Sequence, residues 1–266
     1  MNKSEFQAEI HHKGIELYRD MPWRQDTRPY YIIVSELMLQ QTQVDRVIPK
    51  FESFIQSFPD EHALAASTLS DVLIHWSGLG YNRRAKFLYE SAKKIIDTFE
   101  GKIPDTYEEL LMLPGVGPNT AGAIMAYAFN KPIVFIETNI RTVYFQHFFK
   151  DGEKVSDKEL VRLVQETIDH SHPREFYWAL MDYGSWLKKN GAGRLQQSKH
   201  YKKQAPLKGS IREVRGDIIR HLTNGDMTAA QLKVAVTADT RFDPALSGLL
   251  KDGLVMRTAN KLHLTN

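Results

Sequence analysis

Leu113-Pro114-Gly115-Val116-Gly117-Pro118-Asn119-Thr120-Ala121-Gly122-Ala123 is the stretch on which the fold turns. Two glycines around one apolar residue make a tight turn with no side chain at its outer corners. Its amides, with those opening the next helix, face outward where an anion can reach them. Pro118 suits the first position of that helix, and Thr120-Ala121-Gly122-Ala123 offers small residues for close helix packing. Gly-x-Gly turns are common; Leu-Pro-Gly-Val-Gly between two helical stretches is much less so. Twenty residues after Gly117, Glu137-Thr138-Asn139 follows the apolar run Ile133 to Ile136. There a carboxylate either caps a helix or meets a bound nucleotide, and the two roles are compatible.

The surrounding chain bounds the problem. Its 266 residues, 42% hydrophobic, make one large domain or two modest ones with a real core. There is no cysteine, which excludes disulfides, thiol nucleophiles and Cys-ligated metal or iron–sulfur sites. The ten histidines show no metal-ligand spacing. No apolar run reaches membrane-spanning length, and Met1-Asn2-Lys3-Ser4-Glu5-Phe6 lacks a signal-peptide core, so a cytoplasmic protein is expected. The net charge of +3 is unevenly placed: residues 188–208 hold seven basic residues and no acid. That segment is either a solvated linker or a phosphate contact, and the absence of any acid favours the contact.

Helical patterns dominate the first three-quarters, from Ser4 to Arg19, Pro29 to Leu39, Val44 to Ile55, Leu69 to Trp76, Arg84 to Phe99, Tyr107 to Met112 and Pro118 to Phe129. Asn139 to Phe149, Asp157 to Ile168 and Arg174 to Lys189 complete them. Pro132 to Ile136 reads as a buried connector. Residues 1–187 form one helical domain, 188–208 a basic linker and 209–266 a second domain. In the last, helices over Ile211–Leu222, Met227–Val236 and Asp243–Leu250 precede a hairpin at Leu254 to Leu264. That order is winged-helix-like, a fold that binds either nucleic acid or protein.

Several residues are candidates for chemistry. Glu36 lies mid-helix among Ile32, Ile33, Leu37 and Leu39. Burial there raises a carboxyl pKa, as a general acid at neutral pH requires; the alternative is a polar stripe with Ser35 and Gln40. Gln40-Gln41-Thr42-Gln43 either reads base edges or ends a helix. Tyr81, on the Gly78-Leu79-Gly80 loop with Arg83 and Arg84 behind it, either wedges between bases while the arginines hold phosphates or packs under a turn. Asp182 is expected to cap or brace a neighbouring helix.

Pro22-Trp23, Ser35 to Val44, Gly78-Leu79-Gly80-Tyr81, Leu113 to Gly117 and Met181-Asp182-Tyr183-Gly184 together resemble the helix-hairpin-helix DNA glycosylases, the group that includes endonuclease III. The Met-Leu-Gln-Gln-Thr-Gln-Val run is most similar to the adenine glycosylase (MutY) branch, and the resemblance covers roughly residues 5–187. It implies a mainly α, two-lobed helix-hairpin-helix glycosylase fold, followed here by the winged-helix-like domain. It also implies a monomer near the nucleoid that acts on double-stranded DNA. Gly115, Val116, Gly117, Asn119 and Thr120 would grip the backbone, with Arg83, Lys199, Lys202 and Lys203 adding phosphate contacts. Gln41 and Tyr81 would invade the duplex beside the opposing base, 8-oxoguanine or guanine. Adenine would be flipped out; Glu36 would protonate it, Glu137 would stabilise the cationic sugar and Asn139 would orient the site. Asn119 stands where bifunctional relatives carry a nucleophilic lysine, so base excision without strand cleavage is expected.

The chain departs from the family pattern in three places. Glu137 replaces the family's aspartate, and one added methylene displaces a carboxylate by about 1 Å, enough to cost on the order of a hundredfold in rate. The cysteine-bound iron–sulfur cluster is missing, and no cofactor is expected; a monovalent cation at the hairpin is the one ion left open. The family's 8-oxoguanine-reading domain is replaced by the winged-helix-like tail. These departures keep two alternatives in play: removal of thymine or uracil opposite guanine, and mispair or lesion binding without catalysis.

Overall fold

The computed structural model describes residues 1–199 and 206–266. The order of elements follows local rules closely. Helix α1 (Lys3–Glu16) starts in a capping box between Asn2 and Glu5, and α2 (Pro22–Gln25) starts on a proline. Next come α3 (Pro29–Leu39), α4 (Val44–Ser57), α5 (Glu61–Ala66, capped by Asp60), α6 (Leu69–Trp76, boxed by Thr68 and Asp71) and α7 (Arg83–Phe99). A short α8 (Tyr107–Leu110) and α9 (Pro118–Tyr127) flank the glycine turn. They are followed by α10 (Thr138–Phe148), α11 (Asp157–Thr167, boxed by Ser156 and Glu159) and α12 (Pro173–Lys189). The C-terminal part comprises α13 (Ile211–Leu222), β1 (Met227–Thr228), α14 (Ala229–Ala235), α15 (Phe242–Lys251), β2 (Val255–Thr258) and β3 (Lys261–Leu264).

The described residues divide into two compact units. The first holds Met1–Ile32, Asp105–Leu111 and the stretch from Val116 to 199; the second holds Ile33–Pro104, Met112–Gly115 and the stretch from 206 to Asn266. In the first unit α12 packs against both α1 and α10. An aromatic knot closes that core: the Phe6 ring lies 5.0 Å from Tyr144, 4.9 Å from Phe148 and 6.4 Å from Phe176. Asp182 braces the same unit. Its buried carboxylate accepts from Arg19 Nε at 2.6 Å and from both terminal nitrogens of Arg24 at 2.7 and 3.0 Å.

In the second unit α5 and α6 lie on α7, and Phe54 of α4 meets Trp76 edge to face at 6.2 Å and the tilted ring of Phe58 at 4.9 Å. The C-terminal elements belong to this unit. Strands β1, β3 and β2 form an antiparallel sheet in that order, with Met227 opposite Leu262 and Val255 opposite Leu264. The α13 helix packs on α15 and β3, as a winged-helix-like body requires.

Several boundaries differ from the sequence reading. The helix expected over Met227–Val236 begins at Ala229, because Met227 and Thr228 pair with β3; Thr228 still caps it, boxed with Gln231. The short α2 and α5 escaped the periodicity because each is too brief to show a repeat. The first helix stops at Glu16 instead of Arg19, whose side chain is held by Asp182. The tyrosine-led helix α8 ends at Leu110 instead of Met112. Residues 188–199, expected to be linker, are partly structured, with Gln197 and Ser198 buried and about half of the segment exposed. Lys188 and Lys189 close α12, and a 3-10 turn at Leu195–Gln197 places Gln197 at 2% exposure, its amide donating to the Lys150 and Glu153 carbonyls.

Candidate functional site

In the second unit, α3 delivers the glutamine run. Ile32, Ile33, Val34, Ser35, Leu37 and Met38 are all buried, and Glu36 is half-buried in their midst. The chain leaves α3 through Gln41, whose φ of 56° puts it in the left-handed region. Gln40 Nε2 donates to the Gly115 carbonyl at 3.3 Å, tying this exit to the glycine turn. Tyr81 is the other residue expected to enter DNA, and it too has a left-handed backbone, φ 48°. A non-glycine residue in this region costs on the order of 1–3 kcal/mol and persists only where its surroundings enforce it.

Arg84 enforces both. Its side chain turns inward to 5% exposure. Nη1 donates to the carbonyls of Leu37, Met38 and Gln40 at 2.8, 2.7 and 2.6 Å. Nη2 donates to Thr42 Oγ1 at 3.1 Å and to the Leu79 and Gly80 carbonyls at 3.3 and 3.0 Å. Nε reaches the Tyr81 carbonyl at 3.4 Å. One guanidinium therefore holds the segment on either side of Gln41 and the loop before Tyr81 together. The last carbonyls of α3 favour a cation at that end. Burial pulls Arg84 down to about 10, which leaves it charged at neutral pH.

This corrects the expectation that Arg83 and Arg84 both hold phosphates. Arg83 is exposed and free to face solvent on one side, 3.8 Å from Asp252; Arg84 is structural. Sequence reasoning missed the clamp because two adjacent arginines look alike until helix α7 gives them opposite faces.

The glycine turn has the expected shape. Gly115 sits at φ 77°, where a Cβ would come within 2.8 Å of the Phe87 side chain, and Val116 is buried as its anchor. Gly117 is the N-cap of α9, with Pro118 next. Asn119 and Thr120 open the helix, and Asn119 Oδ1 accepts from the Ile136 amide at 3.4 Å. Asn119 is thus the link between the turn and the connector to Glu137. Gly122 lets Phe135 approach, since a Cβ there would stand 2.6 Å from that ring's Cβ.

Glu137 is the N-cap of α10, but its side chain makes no capping hydrogen bond. Capping is left to its backbone, and the carboxyl is turned elsewhere. Burial pushes that carboxyl above its usual range, against the pull of the Lys188 ammonium. Lys188 is in turn lowered by its own burial and by Arg19, and drawn back up by Glu137. The basic-segment lysine expected to contact phosphate is therefore the electrostatic partner of the candidate catalytic acid. Asn139 lies two residues on, its Oδ1 buried without a hydrogen-bond partner among the described residues. Gly184 makes room for it: a Cβ on Gly184 would fall 2.3 Å from the Asn139 carbonyl oxygen.

Of the remaining basic candidates, Lys199 is exposed, while Lys202 and Lys203 lie outside the described residues. Arg194 is 3.7 Å from Asp151, an ion pair instead of a free cation. A cavity of about 520 Å³ between α1 and α12, lined by His11, Tyr18 and Trp178 among others, includes none of the residues singled out. With no cysteine in the chain, the donor set of an iron–sulfur cluster does not exist here, and no step is assigned to one.

Comparison with known proteins bears on this geometry. The family model described as "HhH-GPD superfamily base excision DNA repair protein" matches residues 34–169. A protein of Mycobacterium tuberculosis named adenine DNA glycosylase is 34% identical over 91% of this chain and 88% of its own length. One of the same name from Buchnera aphidicola is 37% identical over 66% of this chain and 50% of its own, so the chain spans about half the length of that relative. Among solved structures, a thermostable thymine-DNA glycosylase superposes with TM-score 0.61 at 25% identity, over 69% of this chain and 86% of that one. A trapped endonuclease III–DNA intermediate superposes with TM-score 0.57 at 18% identity, over 77% and 91%, and supports the fold alone.

Proposed function

Since this chain belongs to the HhH-GPD superfamily of base excision DNA repair proteins, we propose that it is a monofunctional DNA glycosylase that removes adenine mispaired with 8-oxoguanine or guanine. The observation that carries this reading is the α3 exit. Glu36 lies half-buried in an apolar helix, and the glutamine run beyond it is locked by Arg84 into the same clamp as Tyr81. The full-length similarity to mycobacterial proteins named adenine DNA glycosylase supports the choice of base.

The chemistry follows from the side chains. With the target base flipped out of the stack, Glu36 protonates the purine and makes it a better leaving group. Glu137, as carboxylate, offsets the positive charge that grows on the sugar as the glycosidic bond breaks, and Asn139 directs its buried Oδ1 toward the same task. Water completes the hydrolysis. Asn119 has no amine to form a Schiff base, so the product is an abasic site in an unbroken strand. The outward amides of the turn, with Arg83 and Lys199, serve the phosphates of double-stranded DNA.

Incubation with duplexes carrying adenine opposite 8-oxoguanine or guanine, followed by alkali, tests this directly. Alkali-labile sites are expected on both, and Glu36→Gln should reduce them to background. Borohydride should trap no covalent complex. A thymine-DNA glycosylase among the structural neighbours makes thymine or uracil opposite guanine the second substrate class to assay. Release of the pyrimidine with adenine untouched would transfer the assignment to that reading, and mispair binding without release of any base would remove the catalytic one.

A further inference from the structure

The C-terminal body lies outside residues 34–169, the stretch that the family model matches, yet it reaches the residue expected to enter the duplex. Arg212, second residue of α13, donates through Nη1 to the Tyr81 hydroxyl, and its guanidinium carbon lies 5.2 Å from the Tyr81 ring centroid. Arg84 flanks the same ring at 5.5 Å. Tyr81 therefore has two guanidiniums against it, one from the family fold and one from the tail. The placement is anchored nearby as well. Asp252, at the end of α15, receives Arg215 of α13 at 2.6 Å, its carbonyl takes Lys86 Nζ of α7 at 2.8 Å, and Arg83 stands 3.8 Å from its carboxylate. Two turns of α7 and one of α13 are thereby pinned to one point, next to the loop that carries Tyr81.

We propose that Arg212 is a positioning residue for Tyr81, so that the C-terminal body takes part in opening the duplex. Stacking of a cation on the ring face and a charged donor on the hydroxyl set both the plane and the direction of the side chain. Arg212 supplies both from a helix that is itself held to α7. A domain that reads only protein partners would have no need to touch this ring.

This inference rests on the duplex-invading role assigned to Tyr81 above. It is tested on the full chain with a duplex carrying 2-aminopurine beside the base opposite the target adenine. Unstacking of the reporter raises its fluorescence and reads insertion whether or not adenine is released, so a failure of the assigned chemistry shows separately as insertion without excision. The variants are Arg212→Ala, Arg212→Lys, Tyr81→Phe and the double R212A/Y81F. Thermal unfolding verifies that each is folded. R212A should lower the insertion equilibrium about tenfold, the scale of one hydrogen bond to a charged group, while affinity for fully paired duplex changes less than twofold. R212K, which keeps a charged donor without the planar fork, should recover part of the loss. In the Y81F background R212A should cost less than in the wild type, because the hydroxyl contact is gone and only the ring contact is left to lose. Unchanged insertion in R212A overturns the proposal. So do equal losses in both backgrounds, a uniform fall in affinity for every duplex, or no fluorescence rise with the wild-type chain.

Discussion

Replacing Arg84 by lysine tests whether the structure around the two left-handed residues is held as described. Seven acceptors receive the guanidinium: the carbonyls of Leu37, Met38 and Gln40 before Gln41, those of Leu79 and Gly80, the Thr42 hydroxyl and the Tyr81 carbonyl. An ammonium has three donors, so at least four acceptors lose their partner. At about 0.5–1.5 kcal/mol net for each, with several bonds shared and therefore not additive, the loss is about 3 kcal/mol. Relaxation of Gln41 and Tyr81 out of the left-handed region returns about 1 kcal/mol or more, leaving about 2 kcal/mol. A protein with the usual margin of about 5–15 kcal/mol stays folded.

The functional loss should be larger than the stability loss, because the relaxation that spares stability is the movement that misplaces both proposed wedges. Urea unfolding of the wild type and R84K gives the first quantity, and single-turnover excision at 25 °C gives the second. The expected result is a shift of about 2 kcal/mol together with a rate reduced by about a hundredfold, the scale that a displacement of about 1 Å produces. Burial pulls the guanidinium below its ordinary value to about 10. The folded chain therefore binds this proton less tightly than the unfolded one, so the contribution tied to the shift is lost as pH falls through 10, and at neutral pH burial works against the hydrogen bonds of the clamp. A wild-type unfolding midpoint in R84K, or a destabilised R84K that excises at the wild-type rate, would show that the clamp does not position the wedges.

Three further outcomes are expected. Burial raises the Glu137 carboxyl, so the stability tied to it is full below its ordinary value of 4.5 and is lost as pH rises through the folded value; thermal unfolding at pH 4 and pH 7 should therefore find E137Q gaining on the wild type at the higher pH, and a constant difference would contradict the raised carboxyl. Asp182→Asn leaves Arg24, whose side chain is 2% exposed, without its carboxylate, and chemical unfolding should register a loss of about 3–5 kcal/mol, with a change under about 1 kcal/mol excluding the bracing role. Gly184→Ala drives a Cβ into the Asn139 carbonyl oxygen; about 1–3 kcal/mol should be lost, and excision should fall further than stability does, a split that a purely structural glycine would not give.

The residues of the glycine turn, the Glu36 helix and the glutamine run were legible along the chain because each depends on near neighbours. A glycine pair, a proline at the start of a helix and a period of apolar residues act within a few positions of themselves. Capping boxes at Asn2, Ser156 and Thr228 are of the same kind. The bracing role of Asp182 could also be foreseen, since a carboxylate amid Leu180, Met181 and Tyr183 needs a partner. Its partners Arg19 and Arg24, some 160 positions away, could not.

By itself, then, the sequence determined the family and the helical class and singled out the candidate acids and wedges, since composition, spacing and turn chemistry are properties of consecutive residues. Only the tertiary structure decided what the charges do. It turned Arg84 inward while leaving Arg83 outside, set Lys188 against Glu137, and brought Arg212 from the far end of the chain onto Tyr81. The physical reason is common to all three. A charge in a sequence carries no direction. Packing chooses whether its side chain meets water, a carbonyl or another charge, and burial then fixes the energetic consequence.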